Sequence, residues 1–149
     1  MKIGQPRLIL DPYEWLPGYG ESKVSFCSVG TDVVLTVEYE RDVPGFDGGG
    51  AVQGLKREIV FKCVSYFMRA PFPINTFFEF VGDSDGFGLG ELTEFLDSEL
   101  VQVMSKARRS LPSGAALGMK HFSIQFLSEN IAFHMVAEEV FLSDEELVL

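Results

Sequence analysis

Two apolar runs flanking a polar turn dominate the C-terminal third of the chain, at 121–144 (HFSIQFLSENIAFHMVAEEVFLSD). In the first run Phe122, Ile124 and Phe126 alternate with His121, Ser123 and Gln125. That two-residue period sends one set of side chains to a core and the other to water. Ser128, Glu129 and Asn130 read as the turn, because Ser and Asn bond their own backbone and Asn tolerates the left-handed region. The second run carries Ile131, Phe133 and Met135 on one face, then Val136, Val140 and Leu142 on the other, so its apolar set changes face near Ala137. A β-bulge produces such a change, and so does a strand covered on both faces. In this pattern His121 is a surface or edge residue at a strand start, and His134 is packed between its neighbours.

The same period recurs upstream. Residues 7–10 form a short apolar strand, followed by a proline- and glycine-rich arm at 12–20 that predicts irregular structure. Residues 23–29 and 32–40 flank Gly30-Thr31, a pair suited to a tight hairpin turn. The stretch 42–54 holds Pro44, Gly45, Asp47 and Gly48-Gly49-Gly50, a composition that predicts a mobile loop. Residues 58–68 read as a strand whose apolar face also changes, near Cys63, and which ends at Pro71 and Pro73. Residues 75–81, with Phe78 and Phe80 on one side, read as a further strand. At 90–109 two readings stand: one amphipathic helix throughout, or a strand at 91–96 followed by a helix capped by Asp97 or Ser98. Both place helix after Asp97.

Composition narrows the class. A chain of 149 residues with 46% hydrophobic residues and 14 Phe fits one domain, 1–149, with a core of its own. No run reaches the roughly 18 apolar residues of a membrane helix, and the N-terminal residues carry no secretory pattern, so the default is a cytoplasmic protein that does not bind membranes. Cys27 and Cys63 sit in apolar runs and read as small buried hydrophobes. A net charge of −10, from 22 acidic and 12 basic residues, opposes nucleic acid and anionic lipid and favours a basic protein partner; solubility alone explains it equally well.

Catalytic and cofactor patterns are scarce. Neither of the 2 histidines stands at a metal-ligand or triad spacing, and Gly48-Gly49-Gly50 lacks the Gly-Lys-Ser/Thr of a phosphate loop, so no cofactor and no catalytic residue is assigned. One ligand-like spacing exists. Counted as a twelve-residue calcium loop, 83–94 places Asp83, Asp85, Glu91 and Glu94 at positions 1, 3, 9 and 12 with Gly88 at 6, although Phe87 and Gly90 break the pattern. Glu138 and Glu139 cannot share an acid–base site, because adjacent strand residues point to opposite faces.

The segments Glu94-Phe95-Leu96-Asp97-Ser98-Glu99-Leu100, Lys120-His121-Phe122-Ser123-Ile124-Gln125-Phe126 and Val136-Ala137-Glu138 resemble a loose set of small bacterial immunity or toxin-neighbour proteins. The resemblance covers about the C-terminal third and carries over no catalytic residue. It implies the split reading of 90–109 and a protein that acts by binding.

Together these readings give an α+β fold: a mostly antiparallel, curved sheet of about six to eight strands, bent at the two face changes, with one principal helix near 98–109. The function they point to is a non-enzymatic, acidic, immunity-type binding protein. Its contact residues would come from Asp42, Phe46, Asp47, Asp83 and Asp85. The alternatives are a secretion-chaperone-like protein, a calcium or small-ligand module at 83–94, and a subunit that docks through Trp15, Tyr19 and Phe46. Sequence leaves the oligomeric state open.

Overall fold

Where the alternating pattern holds, the chain forms strands, and where the apolar set changes face, it passes from one sheet to another. The computed structural model describes residues 1–17, 20–45, 50–71, 77–79, 88–109 and 118–148, with the side chains of 108 and 109 outside the description. Its elements are β1 (Gln5–Leu10), α1 (Pro12–Trp15), β2 (Glu21–Val29), β3 (Asp32–Pro44), β4 (Gly50–Lys62), β5 (Tyr66–Pro71), β6 (Leu92–Leu96), α2 (Glu99–Arg109), β7 (Lys120–Phe126), β8 (Ile131–Ala137), β9 (Glu139–Leu142) and β10 (Glu146–Leu147).

The strands form two five-stranded sheets. Sheet I has the order β1-β6-β7-β8-β5; sheet II has β10-β4-β3-β2, with β9 also paired to β4. Every pairing between these strands is antiparallel. The expected single curved sheet of six to eight strands is therefore corrected to two sheets, with ten strands among the described residues.

Both face changes mark the crossover between sheets. After β4 leaves sheet II, Cys63 takes a left-handed conformation (φ 53°) and the chain enters sheet I as β5. In the opposite direction, β8 leaves sheet I at Ala137 and the chain joins sheet II as β9. The crossovers run side by side, with the Glu138 amide donating to the Lys62 carbonyl at 3.0 Å and the Ser65 amide to the Val136 carbonyl at 2.9 Å. Strands that switch sheets at a bend make the corners of two-sheet packings.

The inner faces of the sheets meet in one core, with Leu35, Val37, Ile59 and Phe61 from sheet II against Leu92, Phe122, Ile124, Phe133 and Met135 from sheet I. A second cluster lies on the back of sheet I, where Ile3, Phe78, Phe95, Leu100, Met119 and Val136 pack together. Strand β8 is consequently buried at every position. That burial, with a change of sheet and no bulge, accounts for the apolar residues on both of its faces.

Several local expectations meet the structure directly. The turn at Gly30 (φ 62°) joins β2 to β3, and Asn130 (φ 46°) closes the β7–β8 turn. At 90–109 the split reading holds, with β6 ending at Leu96, Asp97 in a left-handed conformation and α2 starting at Glu99. At 75–81, only residues 77–79 are described; Glu79 forms a parallel bridge with Lys2, and the rest of the expected strand lies outside the described residues. Cys27 is exposed, contrary to the buried reading, because it lies on the outer face of β2, and Cys63 is half-buried.

The N-terminal arm is more ordered than its prolines suggest. Asp11 caps α1 through its side chain, with Pro12 at the first helical position, where a missing N–H costs nothing. This turn buries Trp15, whose Nε1–H donates to the Gly90 carbonyl at 2.9 Å. Trp15 is therefore a core residue, which removes it from the exposed docking aromatics. Trp15→Phe keeps most of the apolar volume and loses this bond, so a loss of about 1 kcal/mol is expected in urea unfolding.

Candidate partner-binding surface

Strands β3 and β4 are 13 residues each, against nine for β2, four for β9 and two for β10. Pairing with β2 stops at Tyr39, and the C-terminal segment reaches only Gly54 through the Val148 amide. Beyond these points β3 and β4 continue, among the described residues, as a two-stranded ribbon, pairing Arg41 with Gln53, Asp42 with Val52, Val43 with Ala51 and Pro44 with Gly50. At about 3.3 Å per residue the ribbon projects roughly 13 Å past its neighbours. The expectation of a mobile loop over 42–54 is thus corrected for its two ends, which are strand. Glycine is tolerated at Gly50 because no described atom lies within 4 Å of where its Cβ would stand.

The ribbon's two faces differ in charge. Glu38, Glu40 and Asp42 follow one another on the outer face of β3, opposite Lys56, Gly54 and Val52. On the other face, Arg41 turns back to an ion pair with Glu145. Lys56 lies 3.8 Å from Glu146, and Lys23 lies 3.9 Å from Glu38. Cations at the root of the ribbon are thus engaged by acids of the fold, and the outer acidic row runs outward from them. Val52, 59% exposed, adds an apolar side chain beside that row.

The root itself is tightly built. Arg57 donates to the Ser143 carbonyl at 3.0 Å and to the Trp15 carbonyl at 3.4 Å, tying the C-terminal segment to β4 and α1. Burial, and secondarily the Glu145 carboxylate beside it, push the Tyr39 phenol up to about 12. The hydroxyl has no partner at full hydrogen-bond geometry, so the Glu145 influence is one of proximity. Glu145 sits below the usual carboxylate range; burial opposes that shift, and Tyr39, Arg41 and Arg57 outweigh it.

Among the sequence candidates for contact, Asp42 lies on the ribbon's exposed outer face, while Phe46, Asp47, Asp83 and Asp85 fall outside the described residues. The calcium spacing at 83–94 is only partly described, and its two visible carboxylates have other partners. Glu91 accepts from the Gly88 amide at 2.7 Å, and Glu94, on β6, holds Arg7 at 2.6 Å. Among the described residues no cluster of His, Cys, Asp and Glu is arranged to hold a metal ion.

A buried polar chain escaped the sequence reading. Ser98 Oγ lies 2.7 Å from His121 Nδ1, and His121 Nε2 lies 2.9 Å from His134 Nδ1. His121 is fully buried, which corrects its placement at the surface. The rings of Phe78 and Phe95 enclose the pair, with centroids 5.2 Å from His121 in each case and, for Phe78, 4.4 Å from His134. Two neutral imidazoles satisfy such a chain with one direction of donation throughout. Burial, with His134 a lesser factor, lowers His121 to about 3, and burial lowers His134 to about 4.

This Ser-His-His order has the connectivity of a nucleophile, a base and an orienting group. Its chemistry differs. Ser98 is 1% exposed, and a base held near 3 is a poor proton acceptor at neutral pH, where an effective one titrates close to the working pH. The chain instead fastens the start of α2 to β7 and β8. No protein-family model, curated protein or solved structure matches this chain.

No described helix is long and apolar enough to cross a membrane.

Proposed function

We propose that the protein is a non-enzymatic, acidic binding protein of the immunity type, acting in the cytoplasm by covering a basic site on a protein toxin. The observation that carries this reading is the β3–β4 ribbon, which extends beyond its supporting strands and carries Asp42 in line with Glu38 and Glu40 at its root. An isolated two-stranded ribbon is marginal in water, so its ordered part gains most from a surface that covers it. Charge on such an arm steers encounter with a partner of opposite sign and fixes orientation. The net charge of −10 acts in the same sense over longer range. The secretion-chaperone alternative has less support, since the N-terminal arm holds a strand and a one-turn helix where that reading needs a long helix.

Glu40 lies at an exposed position, so Glu40→Lys should leave the melting temperature within about 2 °C of the parent. The same change is expected to weaken binding to the co-expressed product of an adjacent toxin-like gene at least tenfold at low salt, mostly through the association rate. Calorimetry and stopped-flow kinetics read both effects. Absence of binding by the unaltered protein at low salt overturns the proposal, and equal binding by the variant removes the ribbon from it.

A further inference from the structure

Three segments far apart in the chain meet over the back of sheet I. The Met1 ammonium donates to the Phe77 carbonyl at 2.9 Å, and the Glu79 amide donates to the Met1 carbonyl at 2.7 Å. The Glu99 amide donates to the Lys2 carbonyl at 2.9 Å, and the Lys2 amide donates to the Glu99 carboxylate at 2.9 Å. Residues 1–3, 77–79 and the start of α2 are thereby bonded to one another as one layer. Ile3, Phe78 and Leu100 anchor this layer in the cluster behind sheet I, and Ser98 Oγ fastens it to His121 Nδ1 at 2.7 Å.

Two of the points where the layer joins sheet I are left-handed residues. Gly4 (φ 71°) separates residues 1–3 from β1, and Asp97 (φ 60°) separates β6 from α2. They lie side by side, since a Cβ added to Gly4 would stand 3.3 Å from the Asp97 carbonyl carbon. Hinges are built from a few such residues at the ends of elements, which absorb a change of backbone angle while the elements themselves stay rigid.

The face beneath is polar. His121, Ser123 and Gln125 follow one another on that side of β7, with His134 of β8 in register with Ser123. All four are buried, and Ser123 Oγ and Gln125 Oε1 have no hydrogen-bond partner among the described residues. An acceptor buried without a partner keeps the full penalty of its desolvation, which is relieved once water reaches it. Parting the two sheets would instead wet a core of Leu, Ile, Val and Phe side chains, which opposes opening there.

We infer that residues 1–3, residues 77–79 and α2 form a lid that swings as a unit about Gly4 and Asp97, admitting water to the back of β7 while the two-sheet core stays closed. The bonds among Met1, Lys2, Phe77, Glu79 and Glu99 keep the unit together. The unbonded acceptors of Ser123 and Gln125 lower the cost of opening it. The acidic ribbon belongs to sheet II, so the lid and the ribbon act independently.

Native-state hydrogen exchange on the full chain, at neutral pH and a series of low urea concentrations, tests the inference. The amides of Ile3, Glu79, Glu99 and Gln102 are expected to share one opening free energy and one urea dependence, and to exchange at least tenfold faster than the paired amides of β3 and β4. Ser123→Ala with Gln125→Met removes both unbonded acceptors, so the same four amides should slow together by at least tenfold. Melting and Trp15 fluorescence identify any loss of fold in that variant. Exchange of these amides only through global unfolding overturns the inference. So does graded exchange along α2 with no urea dependence, which is fraying of a helix end, and so do rates that the folded double variant leaves unchanged.

Discussion

Lowering the pH from 6.5 to 4 is expected to remove about 5 kcal/mol of folding stability through the buried histidines alone. The fold holds both rings neutral, with His121 lowered to about 3 and His134 to about 4 from the usual 6.5. The unfolded chain takes up protons below pH 6.5 while the native state does not, so stability is complete above that value and is lost as the pH falls toward 4. Burial is the main cause. The amide end of α2 beside Ser98 acts in the same direction, since a helix N-terminus disfavours a neighbouring cation. A loss of this size is a third or more of the 5–15 kcal/mol that holds a typical domain. Urea denaturation at a series of pH values, followed by Trp15 fluorescence, measures it, and a flat profile between pH 7 and 4.5 refutes the account. His121→Phe alone takes the acceptor from Ser98 and the link from His134, and should cost about 2–4 kcal/mol at neutral pH. Replacing Ser98, His121 and His134 together by Ala, Phe and Leu should cost less and flatten the pH profile, because the three groups that bond one another leave together.

Gly4→Ala is expected to destabilise the protein by roughly 2–4 kcal/mol and to loosen the contact between β1 and β6. Gly4 has φ 71°, which an L side chain rarely adopts, and a Cβ built there falls 1.7 Å from the Leu96 carbonyl oxygen. That neighbour is backbone and cannot turn aside, so β6 or the N-terminal arm must move. The arm has little freedom to do so. Ile3 is fully buried, the Lys2 carbonyl accepts from the Glu99 amide at 2.9 Å, and the Lys2 amide donates to the Glu99 carboxylate at 2.9 Å. Displacing Gly4 therefore disturbs the start of α2 and the Ser98 contact to His121. Hydrogen exchange is the sharper measurement: amides of β1, β6 and the first turn of α2 should lose protection together, and a variant whose loss stays within β1 contradicts this coupling.

The alternating pattern located most strands, and it located the two points where the apolar face changes. It could not distinguish a bend within one sheet from a passage between two, because period-two alternation describes a strand relative to whatever covers it. The same limit misplaced His121. Its neighbours on the strand alternate, so its own face was read as wet. The signal that could have corrected this lay in the other arm, where Val136 pairs with His121 and is itself buried. A partner strand apolar on both faces implies that the opposite strand is covered on both faces too. For the ribbon, composition is a poor guide: glycine is costly in a packed strand, and no described residue packs over Gly50.

By itself the sequence determined the antiparallel β-rich class, the helix after Asp97, the Gly30 and Asn130 turns and the acidity, all of which follow from local period, capping and charge. The tertiary structure decided the second sheet, the Ser98–His121–His134 chain and the fit of Gly4 against Leu96. Each of these depends on which distant residue arrives at a given face, and that is set by long-range pairing of strands whose local patterns are alike.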